Sequence, residues 1–222
     1  MPSRGAVDDT SVMWPETDKT QELLAGAEQG DADAVNRLLE RHRDAVRRMI
    51  DMRMDQKLVR RVDASDIVQD VLIEANRRLA DYLKNPVMPF HLWLRHMAKD
   101  RLIDAHRRHR GAAKRSLDRE QPIASPGKLD QSTLDLVAEL QAGERGPASE
   151  AAWRELQASF VTAIDQLDEQ DREVVLMRHF EKLSNSEVAK ALDLSPPAAS
   201  MRYLRAVRRL KSLLSGEETS AG

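Results

Sequence analysis

Apolar residues recur at steps of three and four residues along most of this 222-residue chain. Near the C-terminus, the residues Trp153, Leu156, Phe160, Ile164 and Leu167 follow one another at steps of 3, 4, 4 and 3. This spacing places apolar side chains on one face of an α-helix. β-Sandwiches and barrels need frequent strand formers and turn glycines, whereas this chain has only 9 Gly and 4% aromatic residues. The sequence therefore predicts an all-α fold.

Length and composition restrict the class of protein further. A chain of 222 residues with 41% hydrophobic and 32% charged residues suits two small globular domains. The absence of Cys excludes a disulfide scaffold, a thiolate zinc site and a Cys nucleophile. No stretch approaches the roughly 20 apolar residues of a membrane span, and no apolar signal segment begins the sequence. We therefore expect a cytoplasmic protein without membrane insertion.

Charge is separated along the chain. The total is 35 Lys and Arg against 37 Asp and Glu, a net charge of -2, which is not typical of a simple basic nucleic-acid-binding protein. Residues 95–119, however, contain nine Lys and Arg against three Asp, whereas residues 116–150 contain seven acids against three bases. The near-neutral total is therefore a sum of opposed segments.

The same composition shifts predict the domain boundaries. Residues 1–19 have no apolar period and form the expected disordered acidic leader. Residues 20–115 and 150–214 form two small helical domains. A flexible acidic linker, broken by Pro and Gly, joins them over residues 116–149. Residues 215–222 form a disordered tail.

Helix signals divide the first domain into four helices. The first helix ends at Gly30, and Asp31 caps the second. Asp63 caps the third helix. Residues 83–89 contain two prolines, which predict a loop, and a basic helix begins at Phe90.

Two short helices in the second domain form a helix-turn-helix pattern. Ser184 and Glu187 form a capping box at the start of the first short helix. Asp193 lies in the turn, where Asp tolerates a left-handed backbone better than most residues do. Ser195 caps the next helix, with Pro196 at its first position, and this helix is rich in arginine. Such a pattern favours DNA binding through the major groove.

Three sequence blocks carry a resemblance to a known family. DASDIVQDVLIEA, FHLWLRHMAKDRLIDAHRR and LDEQDREVVLMRHFEKLSNSEVAKALDLSPPAASMRYLRA resemble, in that order, the core-binding, promoter -10 and promoter -35 regions of bacterial RNA polymerase sigma factors. The two-domain length is similar to that of the extracytoplasmic-function (ECF) group. The resemblance implies that residues 20–115 are sigma region 2 and residues 150–214 are sigma region 4.

The resemblance implies two partners, promoter DNA and core RNA polymerase, the latter through its largest-subunit clamp helices and its flap. An anti-sigma factor is a further candidate partner. The outward acidic face of the third helix suits a basic partner surface, although a merely solvated acidic face gives the same pattern. The residues implied in core-polymerase binding are Asp66, Gln69, Asp70 and Glu74.

The loop and the basic helix after it resemble the part that captures a flipped base of the -10 element and helps to melt the duplex. Trp93 lies on the apolar stripe and is expected to belong to the core. The residues implied in -10 binding are Tyr82, Lys84, Asn85, Phe90, Arg95, Lys99, Arg101, Arg107 and Arg108.

The last helix resembles the recognition helix for the -35 element. The residues implied in -35 binding are Ser195, Ala198, Ser200, Met201, Arg202, Arg205 and Arg208. Asp100 stands where the family often has Asn, and Ser200 stands where it often has Lys or Arg. These departures predict a promoter preference that differs from the family's usual one.

Two other functions remain open at this point. A metal enzyme would use His96, Asp100 and Asp104, which share one helix face, but the basic residues around them oppose a dication. We therefore expect no enzyme activity and no cofactor. A stand-alone helix-turn-helix regulator would use the second domain equally well, but it leaves the acidic and basic helices of the first domain without a role.

Overall fold

The computed structural model describes residues 13–54, 56–59, 61–113 and 150–215. Every element within these residues is helical, which confirms the all-α prediction. The chain divides into two compact units, one within residues 12–124 and the other containing residues 125–222. The predicted linker lies outside the described residues, as do residues 1–12 and 216–222.

The N-terminal unit is built around a helix whose apolar face is in contact with three others. Five helices are described in this unit: α1 (Thr17–Glu28), α2 (Ala32–Asp51), α3 (Gln56–Val59), α4 (Ala64–Lys84) and α5 (Phe90–Ala113). Helix α2 packs against α1, α4 and α5, and α4 also packs against α5. Leu38, Val46, Val71 and Leu94 lie in the core that these helices enclose.

The predicted caps position these helices. The Asp31 carboxylate accepts hydrogen bonds from the backbone N–H groups of Asp33 at 2.8 Å and Ala34 at 3.1 Å. Gly30, just before it, has a φ of 82°, a conformation that side chains disfavour. The Asp63 carboxylate accepts from the Ser65 backbone N–H at 2.8 Å. Both predicted caps are confirmed.

The boundary of the leader was predicted too far along the chain. Helix α1 begins at Thr17, and the side chains of Met13 and Trp14 before it are buried. The Trp14 ring lies 5.8 Å from the His91 ring between centroids, and an Arg48 guanidinium N–H donates to the Met13 carbonyl at 3.0 Å. Residues 13–19 therefore belong to the folded unit, because Met13 and Trp14 are buried by tertiary contacts and residues 17–19 form the start of α1.

Two further boundaries differ from the predictions. Helix α4 continues through Lys84, so the loop comprises residues 85–89, because Pro86 disfavours helical backbone mainly at the residue before it. The short helix α3 was not predicted. It has four residues, of which Leu58 is buried and Val59 is exposed, so it is too short to show an apolar period.

The C-terminal unit contains the predicted helix-turn-helix. Its described helices are α6 (Glu150–Asp165), α7 (Glu169–Val175), α8 (Asn185–Ala191) and α9 (Pro196–Ser215). Helix α7 continues as a π-helical turn over Leu176–Phe180, in which the Glu181 N–H donates to the Leu176 carbonyl at 3.0 Å. Helix α9 packs against α6, α7 and α8.

Local bonds define the turn between α8 and α9. The Ser184 backbone N–H donates to the Glu187 carboxylate at 2.7 Å, and the Glu187 N–H donates back to Ser184 Oγ at 3.3 Å. Asp193 has a φ of 53°. Ser195 Oγ accepts from the Ala198 N–H at 3.3 Å, and α9 begins at Pro196. The capping box, the turn residue and the second cap are all confirmed.

Among the helices of the described residues, none is both long and apolar enough to cross a membrane.

Candidate nucleic-acid interface

Helix α9 presents one face to its own unit and another to solvent. Ala199, Ala206 and Leu210 are fully buried against the neighbouring helices. The exposed side chains between its start and Arg208 are Pro196, Pro197, Ala198, Met201, Leu204, Arg205 and Arg208. No Asp or Glu occurs from Ser195 to Lys211. Helix α9 therefore carries positive charge and no carboxylate of its own up to Lys211, which suits binding to a phosphate backbone.

A buried carboxylate organises the arginines of α9. The Asp171 carboxylate, on α7, accepts from Arg202 at 3.3 Å and from Arg205 at 3.5 Å. The Arg202 side chain is only 23% exposed, whereas that of Arg205 is 65% exposed. Arg202, which is implied in -35 binding, is therefore only partly accessible, because its guanidinium turns back toward Asp171. Arg205 bonds to Asp171 and still reaches solvent.

Sequence reasoning missed Asp171. It follows the Asp168 cap by three residues, and its own backbone N–H donates to the Asp168 carboxylate at 2.9 Å. An acid in the first turn of a helix is common, since it complements the helix dipole. The sequence signal was therefore that of an ordinary first-turn acid, and the pairing with α9 is visible only in the tertiary structure.

A second contact holds α9 against the π-helical turn. The Tyr203 hydroxyl forms a hydrogen bond with His179 Nε2, and the Arg178 guanidinium lies 5.7 Å from the centre of the Tyr203 ring. Arg178 also donates to the Leu183 carbonyl at 2.6 Å. Ser200, which is implied in -35 binding, is half-exposed on the flank of α9.

In the N-terminal unit, two residues implied in -10 binding are buried instead. Phe90 lies in an aromatic cluster with His42, Tyr82 and Trp93, with centroid distances of 5.0, 5.6 and 5.5 Å respectively. Tyr82 is also buried, and its ring lies 4.7 Å from that of Trp93. These aromatic rings pack where the end of α4 meets the start of α5, so neither Phe90 nor Tyr82 presents its ring to solvent in this structure.

Tyr82 instead holds the loop of residues 85–89. Its hydroxyl donates to the Met88 carbonyl at 2.9 Å, and burial raises the pKa of this phenol, so the hydroxyl keeps its proton. Asn85 and Val87 in the loop are exposed. A buried side chain therefore sets the backbone of an exposed loop, which is a positioning role.

Some charged residues of the predicted sites are buried or ion-paired within the N-terminal unit. Arg95, which is implied in -10 binding, is fully buried in the core of its unit. Arg101 forms an ion pair with the Glu74 carboxylate at 3.3 Å, and Arg78 forms an ion pair with the same carboxylate at 2.7 Å. Glu74, with a 19% exposed side chain, therefore links α4 to α5. It is not a free acid for a protein partner.

The other charged residues implied in -10 binding are accessible to solvent. On α5, Arg107 and Arg108 are exposed and Lys99 is half-exposed. Lys84 is exposed beside Asp81, 3.2 Å away. The basic surface of α5 is thus concentrated toward its C-terminal half.

The acidic face of α4 is also accessible. Asp66, Gln69 and Asp70 are exposed. Gln69 and the exposed Ile73 line an open groove of about 570 Å³ between α2 and α4, with Arg37 and Arg43 on its other side. This surface combines apolar and charged groups, as protein–protein contact faces do.

The metal-site alternative has no geometric support in the described part of the chain. No three His, Asp or Glu side chains come together there in a group that could hold an ion. His96, Asp100 and Asp104 therefore form no such group. Burial lowers the pKa of His96 below its usual value.

Two family models match this chain, and each match lies within one of the two folded units. The Sigma-70 region 2 family model matches residues 38–112, and the Sigma-70 region 4 family model matches residues 157–210. Together the two matches cover more than half of the chain. They follow one another in the order that the sequence blocks predicted, one in each unit.

Similar proteins extend the match to nearly the whole chain. RNA polymerase sigma factor CnrH of Cupriavidus metallidurans is 28% identical over 205 residues, which are 92% of this chain and 98% of that protein. ECF RNA polymerase sigma factor BldN of Streptomyces coelicolor is 26% identical over 196 residues, which are 88% of this chain and 66% of that protein.

A solved structure shares the fold. The structure of CnrH in complex with the cytosolic domain of CnrY has a TM-score of 0.56 at 23% identity and covers 90% of this chain and 99% of that chain. With both family regions present in order, the chain belongs to the sigma-70 family of RNA polymerase sigma factors, in which its relatives include members of the ECF group.

Proposed function

We propose that this protein is a sigma factor that binds core RNA polymerase and directs promoter-specific initiation by reading -10 and -35 elements. The observation that carries the proposal is the occurrence of both sigma regions in one chain, each on a separate folded unit with an accessible basic helix. Sigma factors form no catalytic family, so the role proposed here is binding and positioning, without a cofactor, in the cytoplasm beside the polymerase.

In the C-terminal unit, α9 enters the major groove of the -35 element. Arg205 and Arg208 contact phosphates or base edges, while the N-terminal turns of α9 lie closest to the bases. Asp171 orients Arg205 by a hydrogen bond, and Arg202 supports the helix instead of contacting DNA. Ser195 holds the first turn in place as its cap.

In the N-terminal unit, the loop of residues 85–89 and α5 bind the -10 element as it opens. Lys99, Arg107 and Arg108 grip the backbone of one strand. The loop, which Tyr82 holds in shape, presents Asn85 and Val87 to an unpaired base. Phe90 and Arg95 contribute to the core beneath this surface.

Core polymerase binds the acidic face of α4 through Asp66, Gln69 and Asp70. Charge complementarity with a basic partner surface favours the encounter. An anti-sigma factor would bind either unit in competition with polymerase. The solved complex of CnrH with the cytosolic domain of CnrY supports this as a partner class for a protein of this fold.

Run-off transcription tests the proposal directly. Core RNA polymerase from the source bacterium is incubated with a library of its genomic promoters, with and without the protein. We expect a defined subset of promoters to give transcripts only when the protein is present, and these promoters to share two elements. A variant with Asp66→Lys and Asp70→Lys serves as the matched control, since it should bind core polymerase weakly while both units stay folded.

The alternative is a stand-alone helix-turn-helix regulator that needs no core polymerase. It predicts tight binding of the protein alone to one palindromic site and no promoter-specific initiation with core polymerase. That pair of results would overturn the sigma-factor proposal.

A further inference from the structure

A second row of apolar side chains lies on α9, opposite its buried face. Pro197, Met201 and Leu204 are spaced i, i+4 and i+7, and all three are exposed; Met201 is 63% exposed and Leu204 is 45% exposed. We call these three residues the apolar ridge. Single exposed apolar residues are ordinary on protein surfaces, whereas a row at helical spacing indicates a contact face.

The charges beside the apolar ridge indicate its partner. Arg205 and Arg208 lie on the same exposed side of α9, and no acid occurs from Ser195 to Lys211. A matching surface must combine strong negative charge with small apolar groups. The DNA major groove has this combination, because phosphates line its edges and the C5-methyl groups of thymine project from its floor.

We propose that the apolar ridge reads thymine methyl groups in the promoter element that α9 contacts, with Met201 and Leu204 as specificity-determining residues. This inference rests on the proposed function and goes beyond it by naming the base that is read. From the sequence, Met201 was assigned to -35 binding without a base that it reads, and Leu204 was not assigned at all. Pro197 stiffens the first turn at the start of the ridge.

The helix geometry restricts which thymines are read. Met201 and Leu204 are three residues apart, so they are separated by about 4.5 Å along the α9 axis. Successive base pairs are about 3.4 Å apart along the duplex. The two side chains therefore reach methyl groups on neighbouring base pairs, on one strand or on both.

Removal of single methyl groups from the DNA tests the inference. Holoenzyme assembled from core polymerase and the full chain is tested on a promoter selected by run-off transcription. Each thymine of its -35 element is replaced in turn by deoxyuridine, which lacks only the methyl group. We expect one or two neighbouring replacements to weaken holoenzyme binding about four- to tenfold, the effect of one lost apolar contact.

Variants on the protein side identify the residues. In Met201→Gln and Leu204→Gln holoenzymes, we expect deoxyuridine at the corresponding position to have no further effect. Val59→Gln is the matched control, because Val59 is an exposed apolar residue in the other unit and its variant should keep the wild-type methyl dependence.

Two results would overturn the inference. If wild-type holoenzyme initiates equally well on thymine and deoxyuridine promoters, methyl readout is excluded. The sigma-factor proposal is not affected by that result. Glutamine variants that weaken core-polymerase binding, with an unchanged response to deoxyuridine, would show that the ridge docks a protein. A failure of wild-type initiation at every promoter of the library counts instead against the proposed function.

Discussion

At the scale of single residues, burial determines the protonation state of one histidine in the core. His42, on α2, lies in the core of the N-terminal unit. Its Nδ1–H donates to the Leu38 carbonyl at 2.9 Å, and Phe90 packs against its ring. Burial lowers the pKa of His42 to about 4 from an ordinary value of 6.5. The N-terminal unit therefore folds with this imidazole neutral.

The stability of the N-terminal unit should consequently depend on pH. Between pH 6.5 and 4 the unfolded chain binds a proton at His42 that the folded chain does not bind, so stability falls as pH falls through this window. Between pH 7 and pH 5 we expect a loss of about 2 kcal/mol. Urea unfolding measures it, in a Trp153→Phe background where fluorescence reports only Trp14 and Trp93.

The control for this prediction is His42→Leu, which removes the titrating group and keeps an apolar side chain. Other groups titrate in both proteins, so the difference between them isolates His42. A stability difference between wild type and His42→Leu that does not change from pH 7 to pH 5 would contradict the prediction.

At the scale of elements, local chemistry determined most of the helices and their ends. The caps at Asp31, Asp63, Asp168, Ser184 and Ser195 all follow sequence rules that concern only the next few residues. The π-helical turn at Leu176–Phe180 follows no such local rule. Its backbone differs from an α-helix by one residue in its hydrogen-bond spacing. Lys182 follows that turn with a φ of 55°, which its sequence context did not predict.

The same substitution should have opposite effects at two exposed lysines of the C-terminal unit. Lys182→Gly should stabilise the unit by about 0.5–1 kcal/mol, because glycine adopts a positive φ without steric cost. Lys190→Gly, inside α8, should destabilise it by about 1 kcal/mol through lost helix propensity. Hydrogen exchange of the α8 and α9 amides, followed by mass spectrometry, measures both changes in the full chain. Stability changes of the same sign for Lys182→Gly and Lys190→Gly would contradict this prediction.

At the scale of the whole molecule, the net charge of -2 conceals two accessible basic surfaces, one in each unit. Their positive charge is offset in the total by acids elsewhere, including the exposed face of α4. A chain of this kind gains little DNA affinity from its overall charge. We expect strong binding to require both basic helices to engage one duplex together.

We therefore expect the protein alone to bind promoter DNA weakly and core polymerase to raise its affinity at least about 100-fold, because joined sites act at a high effective concentration. Fluorescence anisotropy of a labelled promoter fragment, at one fixed salt concentration, measures the difference. Core polymerase without the protein is the control. Tight binding by the protein alone, unchanged when core polymerase is added, would contradict this prediction and favour the stand-alone regulator.

The sequence by itself determined the all-α class, the helix-turn-helix and the family, because apolar period, capping and turn chemistry are local and leave a readable pattern. Only the tertiary structure decided which of the predicted contact residues are available. Arg202 pairs with Asp171, 31 residues away, Glu74 pairs with Arg101, and Phe90 and Arg95 lie in the core. Burial and ion pairing depend on residues that are distant in the chain. The sequence of a basic helix therefore does not determine which of its basic or aromatic side chains are accessible to DNA or to a protein partner.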